Sequence, residues 1–377
     1  MTGRSIPLFK VYGIPIRLDP TWFIIFALVA WTLAAAYFPI TFKGLDGYVY
    51  WIMGAVASLM LFVSVLVHEL GHSYAAQKLN IPVKSITLFL FGGVSETLDE
   101  PKSAKAELIM TISGWGLSLV LAIVCFAASK LITGTAQLPL AAFAIVRYLA
   151  WINFLLFVFN GLPGLPLDGG RLLRAGIWHF SANIQKATYI ASTTGSVFGV
   201  ILIVGGVLML FTGNLVGGMW FILIGFFLRT GAKSSYQQLV VRRALEGVHV
   251  SEVMSQKVVS IPATISVEQA VNEYFMRYHY HSFPVLDDGT LVGIVSLHDI
   301  RELDRDTWAG TSIGQIANRK VVELALHRED DLMDAVTKMS RFEVGRLPVI
   351  EDGHMIGIIS RRDIMHRLST KTDLGLS

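Results

Sequence analysis

The sequence predicts a polytopic α-helical membrane domain of about six transmembrane helices, followed by a water-exposed α/β domain built from two copies of one module. Three observations carry this. Of the 377 residues, 53% are hydrophobic and only 16% charged, a low charge density for a soluble protein of this size. The bias is uneven: long apolar stretches fill the first 230 residues or so, while roughly the last 130 carry ordinary densities of Asp, Glu, Lys and Arg. Within that tail one string of residues returns.

Six segments have about 20 or more mostly apolar residues, enough to cross a hydrocarbon core of about 30 Å as helices. They run from Pro20 to Phe38, Tyr50 to Leu79, Ala106 to Leu131, Leu138 to Asn160, Ala187 to Phe211 and Leu215 to Arg229, the last being short. Residues 1–19 read as mixed and turn-rich, and no convincing small-residue cleavage site follows the first apolar run, so that run is expected to stay as an anchor. Arg4, Lys10 and Arg17 precede the first span; Lys78, Lys84, Lys102 and Lys105 lie between the second and third; Arg171, Arg174 and Lys186 separate the fourth and fifth. The other side has only Lys43 and Lys130, with Arg147 near the start of the fourth span. Positive charge marks the cytoplasmic side, so both termini are expected there, in a multi-pass protein of the cell membrane. The expected domains are 1–232 for the membrane part, 233–247 for a linker, and 248–304 and 309–370 for the two copies of the module.

The repeat is direct. Phe283-Pro284-Val285-Leu286-Asp287-Asp288-Gly289 returns as Leu347-Pro348-Val349-Ile350-Glu351-Asp352-Gly353, and the same offset takes Gly293-Ile294-Val295-Ser296 to Gly357-Ile358-Ile359-Ser360. In each copy a helical pattern, Val267 to Tyr278 or Asp331 to Arg341, leads to a strand, an Asp-Gly turn, a second strand and a short helix.

Composition also excludes. The net charge of +3 comes with no basic tract, which removes nucleic acid as a partner. Cys125 is the single cysteine, so an intramolecular disulfide and a cysteine-built zinc site are both ruled out. A metal must use histidine and carboxylate.

His68 and His72 stand four residues apart on a helical pattern, where their side chains share a face, with Glu69 beside them to polarise water. They follow the apolar run Leu61 to Val67, and ionisable groups at membrane depth are costly unless paired or coordinated. The competing reading is a polar helix end at the interface. A catalytic zinc has three protein ligands and an open position; Asp168 is the best third. It ends the run Asn160-Gly161-Leu162-Pro163-Gly164-Leu165-Pro166-Leu167-Asp168, where prolines and glycines break an apolar span, as tolerated at depth only beside protein or a wet cavity. The alternative is an ordinary helix-ending loop with Asp168 solvated or paired to Arg171.

Together these two motifs resemble the site-2 protease family of intramembrane zinc metalloproteases: His68-Glu69-Leu70-Gly71-His72 matches its first motif, and Asn160 through Pro163 to Leu167-Asp168-Gly169 its Asn-x-x-Pro-x-x-x-Leu-Asp-Gly. The resemblance implies that His68, His72 and Asp168 bind one zinc ion, that Glu69 is the catalytic base, and that Asn160 assists at the reacting carbonyl; otherwise Asn160 caps a helix end. It extends to Phe91-Gly92-Gly93, a turn that in the family lies near the active site and aligns an extended substrate. Ser113-Gly114-Trp115-Gly116-Leu117-Ser118 departs from a Gly-Pro pair with a nearby Asn found in many relatives. The implied substrates are single-span membrane proteins, tethered regulators and signal-peptide remnants. The segment Ile86 to Val94 is expected to offer a sheet edge to substrate or merely to pack as a hairpin. Gly195 and Gly199 read as close helix packing, with a lateral gate as the alternative.

The duplicated tail resembles a tandem pair of CBS domains, a module that often binds adenine nucleotides. The resemblance makes Asp299 and Asp363 ribose-contacting candidates and Ser296 and Ser360 phosphate-facing ones, with ATP or AMP as ligand; the alternative is a pair used for homodimerisation, with both aspartates capping helices. The main rival for the whole chain is a CBS-regulated transporter or channel in which the His/Glu cluster handles an ion, with a binding-only zinc protein third.

Overall fold

A chain in hydrocarbon must satisfy its backbone polar groups internally, so long apolar runs become helices. The computed structural model describes residues 5–90, 92–132, 137–342 and 344–373, and the chain divides into two units, Met1–Leu239 and Val240–Ser377. Among the described residues of the first unit, six helices are long and apolar enough to span a membrane. The first is α1 (Thr21–Thr32), continued through a π turn at Leu33–Tyr37 into α2 (Phe38–Thr41). The others are α3 (Gly47–Lys78), α4 (Ala104–Leu131), α5 (Gln137–Asn160), α7 (Ile184–Phe211) and α8 (Leu215–Leu245). Five match the expected spans within a few residues, and the sixth starts at Leu215 as expected but runs 16 residues beyond Arg229. Between α5 and α7 lies α6 (Asp168–Ser181), a shorter amphipathic helix entered through an irregular stretch at 161–167.

The linker and the N-terminal segment differ from the sequence reading. The segment 233–247, expected as a linker, continues α8 to Leu245; it holds no proline or glycine before Gly247, which takes φ +75° and ends the rod. Residues 1–19, read as turn-rich, contain β1 (Ile6–Val11) and β2 (Ile14–Leu18), joined through Tyr12-Gly13 with both φ positive, as a two-residue hairpin requires. The overlooked signal was period-two alternation: Ile14, Ile16 and Leu18 all point inward and are buried.

Strand β2 pairs in parallel with β3 (Val83–Phe89), which pairs antiparallel with β4 (Gly92–Thr97), in the order β1-β2-β3-β4. The expected segment Ile86 to Val94 spans two strands: residues 86–89 lie in β3, whose two sides are taken by Ile16↔Ile86 and Leu88↔Gly93 pairings, while Gly92 to Val94 begin β4, which with β1 forms the edges of the sheet.

Helix α4 packs against α3, α5 and α6. It meets α3 tightly at Gly71 and Gly114, where a Cβ on Gly71 would lie 2.8 Å from the Gly114 Cα. Small residues at such crossings let membrane helices touch backbone to backbone.

In the second unit, α9 (Val267–Ala270), a π turn and α10 (Met276–Tyr278) precede β6 (Ser282–Asp287), β7 (Thr290–Ser296) and α11 (Leu297–Arg301). After α12 (Ile313–Ile316), the second copy repeats this as α13 (Leu332–Arg341), β8 (Arg346–Glu351), β9 (His354–Ser360) and α14 (Arg361–Asp373). With β5 (Ile261–Pro262) they form one sheet, β5-β6-β7-β9-β8, the copies meeting at Thr290↔His354. Both hairpins turn through Asp-Gly with positive φ, and both carry a bulge at the equivalent place, Val285/Leu286 and Val349/Ile350. Leu245, Val248 and Val250 join the core of the second copy, not the first, so the chain entering the unit completes the later module.

Candidate metal centre

Helix α3 puts His68 and His72 on one face, and α6 begins at Asp168. All three are buried, at 7%, 5% and 7% exposure. The two Nε2 atoms are 3.1 Å apart, and Asp168 approaches them at 3.2 Å (Oδ2 to His68) and 3.3 Å (Oδ1 to His72). The three side chains thus form a small triangle, closed through four atoms: the two Nε2 and both carboxylate oxygens. An ion bound tetrahedrally at about 2.0–2.1 Å needs ligand atoms about 3.3 Å apart, so the triangle fits zinc.

The hydrogen bonds decide what that triangle is made of. His72 Nδ1 lies 2.8 Å from the Met110 carbonyl. A carbonyl only accepts, so Nδ1 donates and in the neutral ring Nε2 is left as a bare lone pair. His68 Nδ1 is 2.9 Å from Ser118 Oγ. Asp168 Oδ2 is buried without a hydrogen-bond donor. Lone pairs converging in a dry pocket repel one another unless a cation sits among them, and neutral imidazole turned by a hydrogen bond at its far nitrogen is the usual state of a metal-binding histidine. Among the described residues this is the one cluster of three such groups.

The surroundings contain residues that sequence reasoning did not find. Met110, Gly114 and Ser118 lie four apart along one face of α4 and all meet the histidines: Met110 and Ser118 through the bonds above, Gly114 because a Cβ there would overlap the His72 ring. Ser113 Oγ donates to the Gly71 carbonyl at 3.0 Å across the α3–α4 contact. The stretch noted only as a departure from pattern is thus the cradle of the histidines, and its signal was small and hydroxyl residues at helical spacing in an apolar run. Also missed was Glu107, fully buried, which accepts from Arg174 Nε at 2.7 Å and pairs with its Nη2, with Arg171 at 4.0 Å. That pair ties α6, and so Asp168, to α4. Arg171 therefore faces Glu107 rather than Asp168. Asn153 is buried on α5 and donates to Ser64 Oγ at 3.1 Å.

Glu69 is half-buried, and among the described residues its carboxylate has no hydrogen bond or ion pair. Gly93 lies against it: a Cβ there would be 3.2 Å from Glu69 Cδ and 3.3 Å from Oε1. Gly92 has φ +127°, a conformation reserved to glycine. The start of edge strand β4 therefore runs past Glu69, and further along Ser95 meets Ser73 of α3 at 2.9 Å. Phe91 lies outside the described residues. Asn160 ends α5, half-buried, and its side chain makes no hydrogen bond within the described residues.

In the second unit Asp299 Oδ2 accepts from the Ser296 backbone N–H (2.7 Å) and hydroxyl (2.6 Å), and Asp363 Oδ2 accepts likewise from Ser360 (2.8 and 2.6 Å). Each pair is a cap at the start of α11 or α14. The structure thus brings each serine to its aspartate; Ser255 adds a 3.3 Å bond to the second oxygen of Asp363.

Comparison with known proteins agrees with this architecture. The family model for peptidase family M50 matches residues 56–137 and 130–204, and that for the CBS domain matches 250–306 and 313–370. A Mycobacterium tuberculosis protein named as a zinc metalloprotease is 32% identical over 96% of this chain and 92% of its own length. A zinc metalloprotease of Methanocaldococcus jannaschii is 29% identical over 97% and 96%. The solved site-2 protease of the same archaeon is 29% identical, covers 62% of this chain and 95% of its own, and superposes with a TM-score of 0.44. Full-length likeness to metalloproteases, with six spans leading into a CBS pair, makes this chain a multi-pass membrane zinc metalloprotease of peptidase family M50, the site-2 protease family.

Proposed function

We propose that His68, His72 and Asp168 hold the zinc, that Glu69 is the general base, and that the chain hydrolyses peptide bonds of membrane-embedded, single-span or signal-peptide substrates. The observation that carries this is the convergence of the two Nε2 atoms and the Asp168 carboxylate, with contacts of 3.1–3.3 Å and each imidazole hydrogen-bonded at its far nitrogen. Bound there, zinc supplies Lewis acidity, bringing the pKa of water towards neutrality and polarising the scissile carbonyl. Glu69, without a competing partner among the described residues, takes the proton of the attacking water and returns it to the leaving amine. Asn160 donates to the developing oxyanion; one such donor is worth about 2.7–4 kcal/mol. An extended substrate pairs with β4, and Gly92 and Gly93 keep the approach to Glu69 open.

Both termini and the CBS pair are assigned to the cytoplasm on the distribution of Lys and Arg between the spans. ATP or AMP is the proposed ligand of that pair, through Asp299, Asp363, Ser296 and Ser360, and the pair is a proposed homodimer contact. Such a ligand acts on proteolysis only by favouring one state of the membrane unit.

The test is incubation of purified full-length protein with a panel of single-span proteins. Stoichiometric zinc, and cleavage that Glu69→Gln abolishes while zinc stays bound, are expected. No zinc, or metal-dependent flux in liposomes that survives Glu69→Gln, would favour the transporter. For the nucleotide, calorimetric titration with ATP and AMP should give binding that Asp299→Ala and Asp363→Ala weaken; no heat with either wild-type titration removes that assignment.

A further inference from the structure

Arg147 sits within the span of α5, about 13 Å of helix from Leu138 and about 20 Å from Asn160 at 1.5 Å per residue. A cation at that depth is costly unless something answers it. Among the described residues no carboxylate lies within ion-pair distance. Its guanidinium lies over the Phe126 ring at 4.8 Å, and the Lys130 ammonium lies over the same ring at 5.3 Å. Two positive charges share one aromatic ring with no carboxylate within ion-pair distance among the described residues, and a quadrupole of that strength does not cancel two cations.

Beside them is a cavity of about 690 Å³ between α1–α2, α4 and α5, well within the range of small-molecule sites. Its walls include Phe42, Ile123, Phe126, Phe143, Trp151 and Phe154, and Arg147 is the one charged residue lining it. Aromatic and aliphatic walls with a cationic rim are complementary to an amphiphile whose polar end is an anion. A transmembrane helix, about 10–12 Å across with its side chains, brings far more volume than this cavity holds. A free inorganic anion would leave the apolar walls unfilled.

We propose that this cavity binds one anionic phospholipid, an acyl chain against the aromatic walls and the headgroup phosphate on Arg147 and Lys130. The site involves no residue of the metal centre, so it stands or falls apart from the catalytic reading. The nearest link is through α4, where Leu119 of the cavity wall follows Ser118.

The test uses full-length protein in detergent, with native mass spectrometry of bound lipid after competition between phosphatidylglycerol and phosphatidylcholine of equal chain length. Wild type should retain phosphatidylglycerol at least tenfold in preference. Lys130→Gln, an exposed helix-end change that leaves the fold alone, should cut that preference several-fold, and Lys130→Gln with Arg147→Gln should bring it to parity. Ile123→Trp, which fills the cavity and leaves both cations in place, should reduce retention of both lipids. Equal retention by wild type, or an unchanged preference in the double variant, overturns the proposal. Full displacement of the lipid by inorganic phosphate, or full retention in Ile123→Trp, overturns the acyl-chain assignment.

Discussion

Replacing Gly114 by alanine adds one methyl group to α4 and should separate two properties that usually move together. Glycine to alanine inside a helix is normally stabilising, by about 0.8–1 kcal/mol. Here the new Cβ would overlap the His72 imidazole at Nε2, Cδ2 and Cε1. Helix α4 cannot simply recede, because the Gly71–Gly114 contact and the Ser113–Gly71 hydrogen bond hold it to α3. The ring must turn, losing its bond to the Met110 carbonyl and carrying Nε2 out of the ligand triangle. Loss of such an orienting bond costs about 10- to 100-fold in metal affinity, and displacing the ligand atom puts this case at the upper end, about 2.7 kcal/mol. Gly114→Ala is therefore expected to bind zinc about 100-fold more weakly in a chelator competition titration, while unfolding of the metal-free protein shifts by no more than about 1 kcal/mol. Gly116→Ala is the control: nothing lies within 4 Å of its added Cβ, so zinc binding should be unchanged. Zinc binding by Gly114→Ala within threefold of wild type would refute the claim that His72 faces the metal from this position.

Ser118→Ala removes the partner of His68 Nδ1 and should weaken zinc about tenfold, with little change in metal-free stability. Gly93→Ala pushes a methyl onto the Glu69 side chain; turnover should fall at least about tenfold with zinc content intact, read as kcat against metal analysis. Glu107→Gln leaves Arg174 buried without its counter-charge and should cost about 3–5 kcal/mol in denaturant unfolding, whereas replacing both by leucine and methionine should recover most of that loss.

The spans were legible because hydrocarbon allows one local answer to a long apolar run, and the repeat was legible because two copies declare each other. The proposed ligands were legible for a different reason: ionisable groups are scarce in such runs, so His68, His72 and Asp168 stand out. What escaped was made of residues that are common there. Ser118, Gly114 and Met110 are ordinary in a membrane helix, and only their register against α3 gives them a role. Glu107 was hidden because its partner Arg174 lies in another helix, far along the chain and joined to it only by packing. The small sheet escaped because β2 and β3 pair in parallel across the whole length of α1 to α3, a contact that no local pattern announces.

Helix α4 carries no proposed ligand, yet each part of the triangle depends on it. Ser118 sets the His68 ring, Met110 and Gly114 set the His72 ring, and Glu107 anchors α6 and with it Asp168. The aspartate alone enters after an irregular stretch, and ligand atoms 3.1–3.3 Å apart tolerate little drift before tetrahedral geometry is lost. A buried ion pair gives little net stability compared with an apolar contact of the same size, but it fixes register, because sliding α6 by one turn would strand a charge in a dry interior. On this reasoning the leucine–methionine pair at 107 and 174 should fold well and still bind zinc less tightly than wild type. Wild-type affinity in that variant would mean that α6 is placed by packing alone.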